Sequence, residues 1–244
     1  MIGMVLAAGA GRRLHPDTEN LPKTLLPVAG EDTILDIGLR NLAGVGLETV
    51  VIVTGFAADR IEERKDDLAR RYGLQIETLF NPKAEEWNNA YSLWCARDFF
   101  DQGILMVNGD TVHPQSVEES VLAARGNDDL VIAVDDVKTL GEEEMKVHLS
   151  SEGLLDRIHK SLEPSTAAGE YIGVTLIEPH AAEALADALK TTWEADPGQY
   201  YEDGFEVLAK RGGRVKAAPI GDVRWVEVDN HDDLAKAREI APSY

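Results

Sequence analysis

The stretch Leu6-Ala7-Ala8-Gly9-Ala10-Gly11-Arg12-Arg13-Leu14-His15-Pro16 decides the fold. It continues the apolar run Ile2–Ala7, and a short apolar run that ends in a glycine-rich turn reads as a buried strand delivering a loop to a sheet edge. Glycines at such a turn let backbone N–H groups approach phosphate oxygens closely. Outward from this strand, further runs rich in Val, Ile and Leu occur at Thr49–Thr54, Gln75–Phe80, Ile104–Val107 and Leu130–Val134. Helical patterns lie between them, near Thr33–Ala43, Ala57–Tyr72, Asn89–Phe99 and Gln115–Arg125. The alternation predicts βαβ units and a Rossmann-like α/β fold with a mostly parallel sheet. Ligands bind beyond the carboxyl ends of such strands, and both Leu6–Gly9 and Asn108–Asp110 fall at such ends.

After Asp135 the pattern changes. Met145–Ser150, Tyr171–Ile177, Val215–Pro219 and Trp225–Val228 read as strands, with helices near Ala181–Trp193, Glu202–Ala209 and His231–Ile240. This half is expected to be a mixed, partly antiparallel extension that covers the site. Without repeats or a clear linker, the chain reads as one domain over 1–244, with a nucleotide-binding half at 1–135 and an acceptor-binding half at 136–244.

The 244 residues carry 24 Lys+Arg against 44 Asp+Glu, a formal charge of −20. Such a surface repels nucleic acid and anionic membranes and argues against both as partners. Within this acidic chain, Arg12, Arg13 and Lys23 outnumber Asp17 and Glu19 in the first loop, as a segment handling an anion would require. Cys95 is the single cysteine, so no internal disulfide forms, which fits a reducing cytoplasm. No apolar run reaches the roughly 18 residues of a membrane span. The apolar N-terminus lacks a basic segment and reads as a strand, not a signal peptide. Homodimerisation stays open.

Two phosphate-binding motifs fail on this loop. The dinucleotide fingerprint needs a third glycine where Leu14 stands, and the P-loop needs Gly-Lys-Ser/Thr whereas Lys23-Thr24 follows Pro22. Taken alone, the loop equally describes a βα turn that binds nothing. Pro22-Lys23-Thr24-Leu25-Leu26-Pro27-Val28 follows at once, and its prolines restrict the backbone around a lysine suited to phosphate.

Together the two segments resemble the signature of the sugar-phosphate nucleotidyltransferase superfamily, L-A-A-G-x-G-x-R-L-x-P followed by P-K-x-L-x-P-V, from Leu6 to Val28. The resemblance implies a GT-A-like nucleotidyltransferase fold. It also implies triphosphate cradling by the backbone from Leu6 through Ala8, Gly9 and Gly11, with charge neutralisation by Arg13 and Lys23. It makes Asp110, in Asn108-Gly109-Asp110, a ligand of Mg²⁺. A second carboxylate is expected from Trp225-Val226-Glu227-Val228-Asp229; the resemblance favours Asp229, with Glu227 as competitor. A turn or N-cap role is the bland alternative for either aspartate.

Trp87-Asn88-Asn89-Ala90-Tyr91-Ser92-Leu93 resembles the branch of CTP:phosphocholine cytidylyltransferases and relatives acting on small phospho-alcohols or phosphonates. It implies CTP as the nucleotide, with Asn81 at the base edge and Asn88 and Ser92 at base or ribose; helix capping by Asn88 or Asn89 competes with this. For the acceptor, a small phosphorylated or phosphonate molecule, the same branch suggests Lys146 at the phosphate and Tyr171 and Gly173 along a pocket strand. Tyr200, Tyr201, Glu202 and Asp203 offer aromatic faces and carboxylates to a cationic head group. A solvated lysine and tyrosines that only pack beneath a helix are the alternatives. A sugar-1-phosphate uridylyl- or thymidylyltransferase, or a catalytically silent nucleotide-binding subunit, remains the competing function.

Overall fold

The structure, a computed structural model, describes Met1–Tyr244. The chain divides into two compact units, each discontinuous in sequence. The first comprises Met1–Glu86, Leu105–Gln115 and Val223–Tyr244; the second comprises Trp87–Ile104 and Ser116–Asp222. The boundary expected after residue 135 falls inside the second unit, and the C-terminal segment belongs with the first.

In the first unit, Ile2–Ala7 pairs in parallel with Thr49–Thr54, which pairs in parallel with Gln75–Phe80. Ile104–Asn108 lies on the other side of Ile2–Ala7. The two inner strands are apolar without alternation because both faces are covered, and Met4, Val50, Val51 and Ile52 are fully buried. The helix Ile34–Gly44 begins on a capping box between Thr33 and Asp36. Asp36 is itself fully buried. It accepts bonds from Tyr72 at 2.8 Å and from Arg64 and Arg71 of the helix Ala58–Tyr72, so one carboxylate ties the two helices together. Burial alone would raise its pKa; the bonds from Thr33 and Tyr72 and the charge of Arg64 hold it below the ordinary carboxylate value.

The C-terminal segment completes this unit. Val226–Glu227 pairs antiparallel with Thr111–Val112, and the helix His231–Ile240 is N-capped by Asn230. Val228, Leu234, Ala237 and Ile240 pack with Leu14, Leu26, Val28, Ile34, Ile37 and Val112 in one apolar cluster. Burial of that cluster carries residues 226–229 to the segment around Asp110.

In the second unit, Gly169–Ile177 runs antiparallel to Leu130–Asp135 and to Lys146–Leu149, while Val215–Pro219 runs parallel to Leu130–Asp135. The mixed pairing expected for the later half is present. An unanticipated strand, Leu155–His159, pairs with Lys146–Leu149. The register shifts between Tyr171 and Thr175, where Gly173 takes a φ of 85°. The expected helix from Asn89 to Phe99 ends at Cys95 and gives way to a 3₁₀ turn over Arg97–Gln102. Ala182–Ala195 and Tyr201–Lys210 form the larger helices. No helix of the protein is long and apolar enough to cross a membrane.

Candidate active site

Three carboxylates and two cations of the first unit converge. Asp110, Glu227 and Asp229 each place one carboxylate oxygen within 4.8 Å of the others. Asp110 follows the strand Ile104–Asn108 through Gly109, where a Cβ would lie 2.6 Å from the Leu6 carbonyl oxygen. Only glycine permits that approach, and the Gly109 N–H donates to the same oxygen at 2.9 Å. The aspartate is thereby held against the end of the first strand. Glu227 and Asp229 arrive on the C-terminal segment.

Lys23 Nζ lies 2.9 Å from Asp110 Oδ2 and 3.1 Å from Asp229 Oδ1. Its side chain is only 13% exposed. Its stem packs beneath the glycine loop: a Cβ at Gly11, which has a φ of 60°, would lie 2.9 Å from Lys23 Cβ. Pro22, in extended conformation with φ −61°, leads into the turn Lys23–Leu25. Burial disfavours the ammonium, but the charges of Asp110 and Asp229, the bond to Asp110 and the charge of Glu227 prevail and raise its pKa above the ordinary lysine value. Lys23 is therefore a fixed positive charge. Arg13 reaches Asp229 Oδ2 at 2.7 Å with a side chain 66% exposed. The loop from Gly9 to Arg13 is half-buried to exposed, so its backbone is open to a ligand.

The residues fit a divalent cation. Asp110 Oδ1 is buried and accepts no hydrogen bond. A buried carboxylate oxygen without a partner is costly, and a hard cation is the partner that suits it. Asp110, Glu227 and Asp229 could supply its protein ligands, so Glu227 stands beside Asp229 at this position, not in its place.

The structure locates the remaining expected residues as follows. The Leu6 and Ala8 carbonyls are engaged within the fold, by the N–H groups of Gly109 and Phe56. Asn81 is buried and its Oδ1 accepts from the Lys83 N–H at 2.8 Å, forming a turn after the strand Gln75–Phe80. Asn88 is the N-cap of the helix Asn89–Cys95, accepting from the Asn89 N–H and donating from Nδ2 to the Gly198 carbonyl at 2.9 Å. Ser92 is buried on that helix. Capping, weighed above as the alternative for Asn88, is what this conformation shows.

The expected acceptor residues of the second unit have the following partners. Lys146 is fully buried, and its Nζ donates to the carbonyls of Gly141, Glu142 and Glu144 at 3.2, 2.8 and 3.1 Å. All three ammonium protons are thus given to carbonyls of one backbone loop. Tyr201 is fully buried and its hydroxyl donates to that of Tyr171, which shares a 2.7 Å hydrogen bond with Thr175. These two rings, 6.2 Å apart, are core residues. Gly173 lies at the register shift of the strand that carries Tyr171. Glu202 is buried, and Asp203 caps its helix by accepting from the Tyr200 N–H at 2.8 Å. Burial raises the pKa of Asp203, against the bond from Tyr200 and the charge of His159.

One further lysine of this unit has an aromatic neighbour. Lys160 closes the unread strand Leu155–His159, and its Nζ stands 5.8 Å from the centre of the half-buried Tyr200 ring. The other lysines of this unit are taken: Lys138 by Glu170, Lys190 by Glu194, Lys210 by Glu206, Lys216 by the Ala124 carbonyl, and Lys146 by its loop. Leu155-Asp156-Arg157-Ile158-His159 does not alternate, because the register shifts between Leu155 and Arg157, so the sequence carried no period-two signal for that strand.

Comparison with known proteins follows the same lines. A family model described as nucleotidyl transferase matches residues 2–143. CMP-5'-(3-aminopropyl)phosphonate synthase of Streptomyces rubellomurinus is 32% identical over 242 residues, covering 96% of this chain and 38% of that protein. Glucose-1-phosphate thymidylyltransferase of Streptomyces griseus is 29% identical over 245 residues, covering 98% of this chain and 66% of that protein. The chain thus spans less than two thirds of the length of either relative. The solved structure of the inositol-1-phosphate CTP transferase from T. maritima superposes with a TM-score of 0.82 at 21% identity, covering 98% of this chain and 94% of that one, which shows a shared fold. With more than half of its length matched by the family model, from the first strand past the glycine loop, Lys23 and Asp110, the chain belongs to the nucleotidyl transferase family.

Proposed function

We propose that the protein is a Mg²⁺-dependent cytidylyltransferase that joins CMP from CTP to a small acceptor bearing a phosphate or phosphonate, releasing pyrophosphate. The observation that carries this is the convergence of Lys23 and Arg13 on Asp110 and Asp229, beside an open glycine loop. An acceptor oxygen attacks the α-phosphorus in line, the bond to the β-phosphate bridging oxygen breaks, and pyrophosphate departs on the opposite side. No enzyme nucleophile is required, and catalysis is positioning and charge neutralisation. The Gly9–Gly11 backbone cradles the triphosphate, and Lys23 and Arg13 offset the charge that develops on its oxygens. Bound at Asp110, Glu227 and Asp229, Mg²⁺ would supply Lewis-acid polarisation of the phosphate oxygens. Asn81 and Asn88, whose present bonds shape a turn and a helix start, set the local backbone for base and ribose. In the second unit Lys160, with the Tyr200 ring beside it, is a candidate for the acceptor phosphate alongside Lys146. A chain with a single cysteine, Cys95, suits a reducing cytoplasmic setting.

The aminopropylphosphonate relative, alike across nearly the whole chain, and the Asn88–Leu93 segment support CTP and an acceptor with an amine distal to phosphorus. The thymidylyltransferase relative favours a second reading, transfer of a nucleotide to a sugar 1-phosphate. A matrix of CTP, UTP, dTTP, ATP and GTP against phosphocholine, phosphoethanolamine, aminoethylphosphonate, inositol phosphate and glucose 1-phosphate, read by pyrophosphate release, separates them. CTP with an amino-phosphonate or phospho-alcohol is the expected pair. Equal or better turnover with dTTP or UTP and glucose 1-phosphate assigns the second reading.

A further inference from the structure

The two cations of the site hold oxygens that a metal ion would need. Lys23 Nζ contacts Asp110 Oδ2 at 2.9 Å and Asp229 Oδ1 at 3.1 Å, and Arg13 contacts Asp229 Oδ2 at 2.7 Å. Three carboxylates lie close enough to share one ion, yet two positive side chains already answer them. A divalent ion entering the nucleotide-free protein must take oxygens from an ammonium and a guanidinium, and it meets their charges at contact range.

We propose that Lys23 and Arg13 form an internal counter-cation lock on the Asp110–Glu227–Asp229 cluster, so that a divalent metal binds tightly only when a nucleoside triphosphate draws both cations away. The inference rests on the functional reading above and adds a binding order to it. Phosphate oxygens accept the same N–H donors that the carboxylates now accept. When Lys23 turns to the triphosphate, Asp110 Oδ2 and Asp229 Oδ1 are released together, and the phosphates add further oxygen ligands for the ion. The mechanics suit such an exchange. The Lys23 stem is pinned beneath Gly11, so only its ammonium group needs to move, while Arg13 is two-thirds exposed and swings without disturbing the core. Asp110 Oδ1, buried and unpartnered, is the one oxygen of these two aspartates that is both enclosed and uncommitted. The coupling is reciprocal: metal tightens nucleotide by the factor by which nucleotide tightens metal. In the nucleotide-free state the lock also relieves repulsion among the three acids, which keeps the cluster assembled without an ion.

The test measures Mn²⁺ affinity by electron paramagnetic resonance at pH 8, without nucleotide, for the wild type, Lys23→Met and Arg13→Ala, with circular dichroism as the check on folding. The lock requires that Lys23→Met bind Mn²⁺ at least tenfold more tightly than the wild type, and that Arg13→Ala shift in the same direction by a smaller factor. Arg13→Ala removes a mostly exposed side chain and keeps the test open if Lys23→Met fails to fold. Affinity unchanged or weakened in the folded variants overturns the lock. A parallel titration of the wild type and Asp110→Asn with a non-hydrolysable CTP analogue separates this failure from that of the metal site. If Asp110→Asn retains the wild-type affinity, the ion lies elsewhere and both readings fall. If it loses affinity while the cation variants gain none, only the lock falls.

Discussion

Replacing Asp229 by Asn separates a metal ligand from a structural ion-pair partner, because the two roles predict losses of different size. Asp229 is 21% exposed and makes two ion pairs, with Lys23 at 3.1 Å and Arg13 at 2.7 Å. Partly exposed pairs contribute about 0.2–1 kcal/mol each, so losing both costs at most about 2 kcal/mol. Lys23 keeps Asp110 at 2.9 Å, which limits the damage further. At this chain length 1 kcal/mol corresponds to roughly 2–4 °C in Tm, so the melting point should fall by no more than about 8 °C. Turnover should fall by at least roughly 100-fold, about 2.7 kcal/mol of transition-state stabilisation, since a ligand at the reacting phosphate is lost. The assay is pyrophosphate release at saturating CTP and acceptor, with thermal melting on the same preparation and Glu227→Gln alongside. Were Asp229→Asn to keep more than a tenth of wild-type turnover while Glu227→Gln lost 100-fold, Glu227 would be the principal ligand. Full activity in both variants would refute the acid cluster as the catalytic centre.

Two other perturbations separate site from scaffold in the second unit. Lys160→Ala should raise KM for the acceptor with little change in Tm, whereas Lys146→Ala removes a fully buried side chain and the donor shared by three loop carbonyls and should cost about 1–3 kcal/mol of stability; matching kinetic and melting profiles for the two variants would remove the distinction. Burial pushes Glu170 up to about 6 despite its 2.7 Å pair with Lys138, with Glu144 and Asp135 adding to the rise. A carboxyl raised in the folded state contributes stability that is fully present below its unfolded value near 4.5 and is lost as pH rises through about 6. About 2 kcal/mol should disappear across that window, and chemical denaturation of Glu170→Gln should show a correspondingly flatter pH dependence; an unchanged slope would contradict this origin.

Ile2–Ala7 and Thr49–Thr54 were legible because burial on both faces writes them as nearly uninterrupted apolar runs, whereas Gln75–Phe80, at the sheet edge with no buried residue, mixes polar and apolar positions; all three have the expected ends. Leu155–His159 escaped notice because it is short and only Leu155 and Ile158 are buried. The end of the helix at Cys95 depended on a local tightening into the 3₁₀ turn Arg97–Gln102, which apolar periodicity alone does not distinguish from a continuing helix. The division into units was illegible for a different reason. The return of residues 223–244 to the first unit follows from the packing of Val228, Leu234 and Ile240 on Leu14 and Val28, and sequence spacing carries no record of such long-range burial.

The charged residues divide on the same principle. Lys23 is mostly and Lys146 fully enclosed, and the sequence offered each as a phosphate ligand. Lys23 ends among carboxylates, whose negative charge a bound ion can take over, leaving the ammonium to turn to phosphate. Lys146 ends among backbone carbonyls of Gly141, Glu142 and Glu144, with no carboxylate among these partners whose charge an ion could take over, and withdrawing it would strip one loop of a donor shared by three carbonyls. A cation can be exchanged in the first setting and is structural in the second. What separates them is the chemistry of the partners, and partners separated by as many as 206 positions, as Lys23 and Asp229 are, become visible only once the chain has folded.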